Sequence, residues 1–134
     1  MKLVKYDNNL LINFYNINGL EFDENKNYFG KDIRSFAIKE KGKIIGAVSI
    51  SKYKNKSYIE ALVADYNYRN KGIGKLLLKK AIDELDKPIY IISKADKFFL
   101  KNGFEYDDSD LIGEECKNCE YYNLTCFPKV LVYK

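Results

Sequence analysis

The chain contains no histidine and no tryptophan, and only one methionine, two prolines and three cysteines among its 134 residues. A structural zinc site takes four nitrogen or sulfur ligands. Cys116-x-x-Cys119 with Cys126 therefore falls one short, and Glu115, Glu120 or a second subunit would have to complete such a site. A reversible Cys116–Cys119 disulfide is the other special use, and reduced thiols packing a loop are the default for a cytosolic protein. Also missing is any apolar run near the ~20 residues of a membrane span. The stretch LLINFY is too short and polar for a signal core, which leads to the expectation of a cytoplasmic protein with no membrane partner. Net charge is only +4, with acidic and basic residues interspersed, so no nucleic-acid partner is implied. Internal repeats and low-complexity linkers are absent as well. What is present, 46% hydrophobic and 31% charged residues, is the balance of a globular protein. The length is that of one domain covering residues 1–134, as a monomer or homodimer.

One stretch organises the rest: YIEALVADYNYRNKGIGKLLLKKAIDEL, Tyr58 to Leu85. From Tyr58 to Asp65 both alternating faces are largely uncharged, which predicts a central strand covered on two sides. Glu60 alone breaks the pattern. After a polar turn, Ile73, Leu76, Leu77, Ala81 and Leu85 follow the i, i+3, i+4 rhythm of a helix with one buried face. The junction Arg69 to Gly74 carries two glycines that let the chain turn sharply and leave the first helical N–H groups uncovered. Such a terminus carries about half a positive charge and attracts anions, and Arg69, Lys71 and Lys75 add to the field. It is not a P-loop, because Arg69 stands where a glycine is needed and Leu76 where a hydroxyl is needed. Nor is it a dinucleotide fingerprint, because Leu77 replaces the third small residue. A helix start that uses glycine only to turn and lysine only for solubility is the plain alternative.

Around this unit, KLVKY (2–6) predicts a strand and residues 8–16 a short helix with Leu11, Phe14 and Tyr15 inward. Ser35 to Glu40 and Ile44 to Tyr53 read as strands joined across Lys41-Gly42-Lys43, and Lys52 to Lys56 as a turn into the central strand. Pro88 ends the helical region. PIYIIS then forms a short buried strand parallel to the central one through a right-handed crossover. KVLVY near the C-terminus completes the sheet. The fold class is α/β in the mixed, α+β sense: a single, mostly antiparallel sheet with one parallel strand-helix-strand unit and helices on both faces.

The string Arg69-x-x-Gly72-x-Gly74 between a strand and an amphipathic helix resembles motif A of the GNAT superfamily of acyl-CoA-dependent N-acyltransferases. Downstream, ADKFFLKNGFEY (95–106) is similar to the second motif of that family, a short helix ending in asparagine-glycine-phenylalanine before a strand. Together the two motifs lie within residues 58–106, over a third of the chain, in the family's order. The resemblance implies acetyl-CoA as cosubstrate, lying between two splayed parallel strands. Leu62, Val63 and Ala64 would stand beside its pantetheine arm, and Arg69, Asn70, Lys71, Gly72, Ile73, Gly74 and Lys75 would receive its pyrophosphate. It further implies an N-acetyltransferase acting on a primary amine of a small molecule or protein by direct attack in a ternary complex. A non-catalytic acyl-CoA-binding module is the alternative.

Glu60 is the candidate base, or else a strand-rim carboxylate paired with a lysine or hydroxyl. The family's usual proton donor, a tyrosine four residues before the glycine of the second motif, is here Phe99, which has no proton to give. Ser93, Tyr106 or a cysteine are the substitutes, and spacing does not choose among them. Phe22, Tyr28 and Phe29 fall in the region that borders the acceptor pocket in the family, and satellite packing beneath a loop is the alternative role for them.

Overall fold

The computed structural model describes residues 2–18, 33–53, 55–69, 71–93, 96–107 and 129–134. In chain order the elements are β1 (Lys2–Tyr6), α1 (Asn8–Ile17), β2 (Arg34–Glu40), β3 (Lys43–Tyr53), β4 (Lys56–Ala64), a 3-10 turn (Tyr66–Tyr68), α2 (Ile73–Glu84), β5 (Ile89–Ser93), α3 (Asp96–Lys101), β6 (Glu105–Tyr106) and β7 (Lys129–Tyr133). The strands form one sheet in the order β1-β2-β3-β4-β5-β7-β6, with β4 at its centre. Among the described residues, only β4 and β5 pair in parallel; every other neighbouring pair is antiparallel. The mixed sheet with one parallel unit is therefore as the alternating apolar patterns predict.

Side chains alternate across a strand, and two hydrophobic clusters form on the two faces of the sheet. On one face α2 lays Ile73, Leu77, Leu78 and Ala81 over Phe36, Ile38, Val48, Ile50 and Ile59. On the other, Leu11, Phe14 and Tyr15 of α1 rest on Ala37, Ala47, Ala61 and Val63. The three alanines make a shallow floor that leaves room for the two rings. Helices thus cover both faces, because β2, β3 and β4 each offer apolar side chains in both directions.

One expected core residue of α2 is not in the core. Leu76 is 42% exposed, and Leu78 is buried instead. At about 100° per residue, Ile73, Leu77, Leu78 and Ala81 share one arc of roughly 140°, whereas Leu76 lies about 60° outside it. Both leucines satisfy a helical repeat when counted from different partners, and the tilt of α2 on the sheet decides between them.

The β2–β3 hairpin closes through Lys41 and Gly42, both at positive φ (53° and 77°), between paired Glu40 and Lys43. This is the backbone twist a two-residue hairpin turn prefers. The β3–β4 turn is tighter than the expected stretch of 52–56, since Tyr53 pairs with Lys56.

Beneath α1 lies a buried hydroxyl cluster. Tyr15 Oη and Ser49 Oγ are 2.7 Å apart, and Ser49 Oγ and Ser35 Oγ are also 2.7 Å apart. Burial pushes the Tyr15 phenol well above the usual tyrosine range, against a smaller opposing effect of the Ser49 hydrogen bond. Because the folded state holds this proton more tightly than the unfolded chain does, its contribution to stability is full below the free tyrosine value of about 10 and is lost as pH rises above it. Tyr15→Phe is therefore expected to cost about 1 kcal/mol at neutral pH through the lost hydrogen bond, and to weaken the alkaline fall in stability. Urea midpoints of both proteins on either side of pH 10 test this. Parallel alkaline losses would show that the buried phenol does not titrate on unfolding.

Candidate active site

The parallel strands separate. β4 and β5 pair only at Ser57↔Ile89 and Tyr58↔Tyr90, yet β4 runs on to Ala64 and β5 to Ser93. Each is held on its outer side, β4 by β3 as far as Ala64 and β5 by β7 over its whole length. A wedge consequently opens from Ile59 onward. Asp65 N–H donates to Ile45 O at 2.9 Å, so position 65 faces β3. By the two-residue alternation of strand backbone, the peptide groups of Val63 also serve β3, while those of Leu62 and Ala64 face the wedge. Leu62 and Ala64 pack their side chains on the α2 face, and Val63 packs on the α1 face.

At the wide end of the wedge stands the glycine turn. Gly72 is the N-cap of α2 at φ 80°, with no side-chain cap, and its carbonyl accepts the first helical bond from Leu76 N–H at 3.1 Å. The N–H groups of Ile73, Gly74 and Lys75 precede that first bond and so lack an intrahelical acceptor. No acidic residue occupies the first turn of α2, and Lys71 and Lys75 are exposed beside it. The field there attracts an anion. Gly74 also sits close to α3: a Cβ at this position would stand 3.3 Å from two ring carbons of Phe98, so that ring would have to give slightly. Asn70 lies outside the described residues.

Arg69 has a different geometry from its neighbours. Its Nε donates to Ala64 O at 3.2 Å, a second guanidinium nitrogen donates to Asn18 O at 3.3 Å, and the guanidinium stacks 3.8 Å from the centre of the Tyr66 ring. The side chain is thus turned back over the end of β4 toward the C-terminal end of α1. A depression of about 330 Å³ next to the turn, lined by Glu40, Lys41, Tyr68, Lys71 and Ile73, opens on the side of the β2–β3 hairpin and not in the wedge. Glu40 faces it and, by its charge, raises the Tyr68 phenol above its ordinary pKa. The lining of the depression carries charges of both signs, Glu40 with Lys41 and Lys71.

Glu60 sits at the narrow end of the wedge, two residues beyond the last β4–β5 pair. Ser49 pairs with Ala61 and Ile50 with Ile59, so Glu60 is the extra residue of a β-bulge. Its side chain is half-buried and accepts a hydrogen bond from the hydroxyl of Ser51, itself 2% exposed. Hydroxyl pairing, one of the two readings of this carboxylate, is therefore realised, and it is compatible with the other.

Phe99 is buried and packs edge-on against Phe98 and Phe104, with ring centres 5.1 and 5.2 Å away. It belongs to the core and delivers no proton. Ser93 is half-buried at the end of β5, on one wall of the wedge, and the Tyr106 hydroxyl donates to the Asp96 carboxylate. Phe22, Tyr28, Phe29, Glu115, Cys116, Cys119, Glu120 and Cys126 lie outside the described residues. Among the described residues, no group of three or more Cys, Asp or Glu is placed to hold a metal, and no helix is long and apolar enough to cross a membrane.

Two residues of this site escape a reading of spacing alone. Ser51 is an ordinary polar residue until β3 is set beside β4. Gly46 left a signal, a lone glycine inside a strand, which marks a close approach of another element. Here that element is the start of α2: a Cβ on Gly46 would lie 2.7 Å from Ile73 Cγ2 and 3.0 Å from Leu77 Cδ1.

Comparison with known proteins agrees with this geometry. An uncharacterized N-acetyltransferase of Chlorobaculum tepidum is 31% identical over 97 residues, which is 65% of this chain and 63% of that protein. The match thus spans slightly less than two thirds of the relative's length. Among solved structures, an acetyltransferase of the GNAT family from Staphylococcus aureus superposes with a TM-score of 0.68 at 19% identity, covering 98% of this chain and 97% of its own. A PaiA N-acetyltransferase from Thermoplasma acidophilum, solved in complex with coenzyme A, gives 0.59 at 21% identity, covering 77% and 61%. These two likenesses establish the fold. The family model described as acetyltransferase (GNAT) family matches residues 4–104, and with three quarters of its length so accounted for, the chain belongs to the GNAT acetyltransferase family.

Proposed function

We propose that the protein is a cytoplasmic N-acetyltransferase that binds acetyl-CoA in the β4–β5 wedge and transfers the acetyl group to a primary amine of a small molecule or protein. The observation that carries this reading is the parting of β4 from β5 after Tyr58↔Tyr90, with an uncapped glycine turn at the mouth. The wedge-facing peptide groups of Leu62 and Ala64 pair with the pantetheine arm, and the N–H groups from Lys71 to Lys75 take the pyrophosphate. Support comes also from the Thermoplasma acidophilum neighbour, which holds coenzyme A on a similar fold.

The amine attacks the thioester carbonyl directly. An amine of pKa ~10.4 is mostly protonated near pH 7, so freeing its lone pair costs about 4–5 kcal/mol. Glu60, at the apex of the wedge, is the carboxylate that accepts this proton. The carbonyl oxygen, turning into an oxyanion, needs a nearby backbone donor, and the thiolate departs without an acid from position 99, since a thiol pKa near 8.5 makes it a tolerable leaving group.

Phe99 in the core favours one second reading, an acyl-CoA-binding module without turnover. Calorimetry with acetyl-CoA, amide shifts of Leu62, Ala64 and residues 71–75, and thiol release with a panel of amines separate the two. The expected result is heat of binding, shifts confined to those amides, and amine-dependent thiol release. Binding without release selects the second reading, and the absence of heat removes both.

A further inference from the structure

The bulge that sets Glu60 apart also leaves it without a place in the β3–β4 ladder: Ile59 and Ala61 take consecutive partners, Ile50 and Ser49, and Glu60 is skipped. A bulge re-aims the side chain of its extra residue. One contact that holds it comes from the neighbouring strand. Ser51 is 2% exposed, lies on the same face of β3 as Ala47 and Ser49 beneath α1, and pairs with Tyr58, the last β4 residue joined to β5 before the wedge opens. Its hydroxyl reaches diagonally to Glu60 Oε1. An ionised carboxylate only accepts, so the serine is the donor.

We propose that Ser51 is a positioning residue for Glu60: its hydroxyl pins one carboxylate oxygen at the apex of the wedge and sets the pH at which the carboxylate is ready to take a proton. This rests on the reading of Glu60 as the base. A hydroxyl donating to the charged form favours that form, so Ser51 keeps Glu60 ionised in a half-buried place where desolvation would otherwise favour the acid. Titratable groups on this face, among the described residues, include Tyr6 from β1, Tyr15 from α1, Tyr58 on β4 and Tyr90 on β5, the last with the Lys56 ammonium 5.5 Å from its ring centre and the Lys134–Glu105 ion pair beside it. Removing the Ser51 hydroxyl takes a hydrogen bond from Glu60 without changing the charge of the site.

The test uses the full chain labelled with glutamate carrying carbon-13 at the side-chain carboxyl, with Glu60→Gln identifying the signal. Ser51→Ala is expected to move the Glu60 midpoint upward by about one pH unit and to shift the acid limb of kcat/KM for thiol release by the same amount. Acetyl-CoA affinity should not change. Ser51→Thr restores both, and Ser51→Cys, a weak donor of nearly equal size, lies between them and serves if the alanine variant fails to fold. An unmoved midpoint in folded Ser51→Ala or Ser51→Cys overturns the proposal. A midpoint that moves in a protein releasing no thiol with any amine removes the proposed reaction instead, while leaving the serine's hold on the carboxylate established.

Discussion

Replacing Glu60 by glutamine is expected to lower the rate of acetyl transfer by about 10²–10⁴-fold, the usual worth of a positioned base, with acetyl-CoA affinity unchanged. Glutamine has the shape of glutamate and still accepts from Ser51, so the bulge and the wedge keep their form. What disappears is the ability to take a proton from the attacking amine. The split is diagnostic, because an interaction needed only during reaction lowers kcat and kcat/KM together and leaves ground-state binding alone. The loss should also shrink as pH approaches the acceptor's own pKa, where free amine is abundant without help. Undiminished kcat at pH 7 would leave Glu60 as a strand-rim carboxylate and nothing more.

Substituting Gly46 by alanine is expected to destabilise the protein by about 1–3 kcal/mol, the cost of overpacking a filled core, and to lower the melting temperature by roughly 5–10 °C. The added methyl meets the branched Cγ2 of Ile73 at 2.7 Å, and a β-branched side chain in a helix has little rotamer freedom with which to yield. Relief therefore requires α2 to lift from β3. Ile73 is the first residue of that helix, one step from Gly72, so the displacement falls on the glycine turn as well. Weaker acetyl-CoA binding should accompany the lower melting point. Thermal unfolding and calorimetry on the one variant read both, and an alanine protein as stable as the parent would mean that the helix does not sit this close to the strand.

The parts of the fold that were legible in the sequence are those fixed by local rules. The central place of β4 follows from apolar side chains on both of its faces, and the turn at 69–75 from glycines that only a sharp change of direction explains. Leu76 shows where local rules end: its spacing fits a buried stripe, but the tilt of α2 gives that place to Leu78. The bulge at Glu60 is legible only from the pairing of two strands whose register is set by residues on both, and the Ser51 contact follows from the bulge. Val63 illustrates the same limit, since strand alternation turns its peptide groups to β3 and leaves those of Leu62 and Ala64 for the wedge. The acceptor is not legible in the same way, because fold alone does not fix a substrate and Phe22, Tyr28 and Phe29 lie outside the described residues.

The guanidinium of Arg69 bears on how charge in this motif should be counted. Its two hydrogen bonds run to the carbonyls of Ala64 and Asn18, and its face is covered by Tyr66. A lysine there would keep the cation and lose the planar fork that reaches two acceptors at once. The arginine acts as a rivet between the lip of the central strand and the far end of α1: two of its donors are spent on the fold, while its charge, which two neutral carbonyls do not cancel, still adds to the field at the turn.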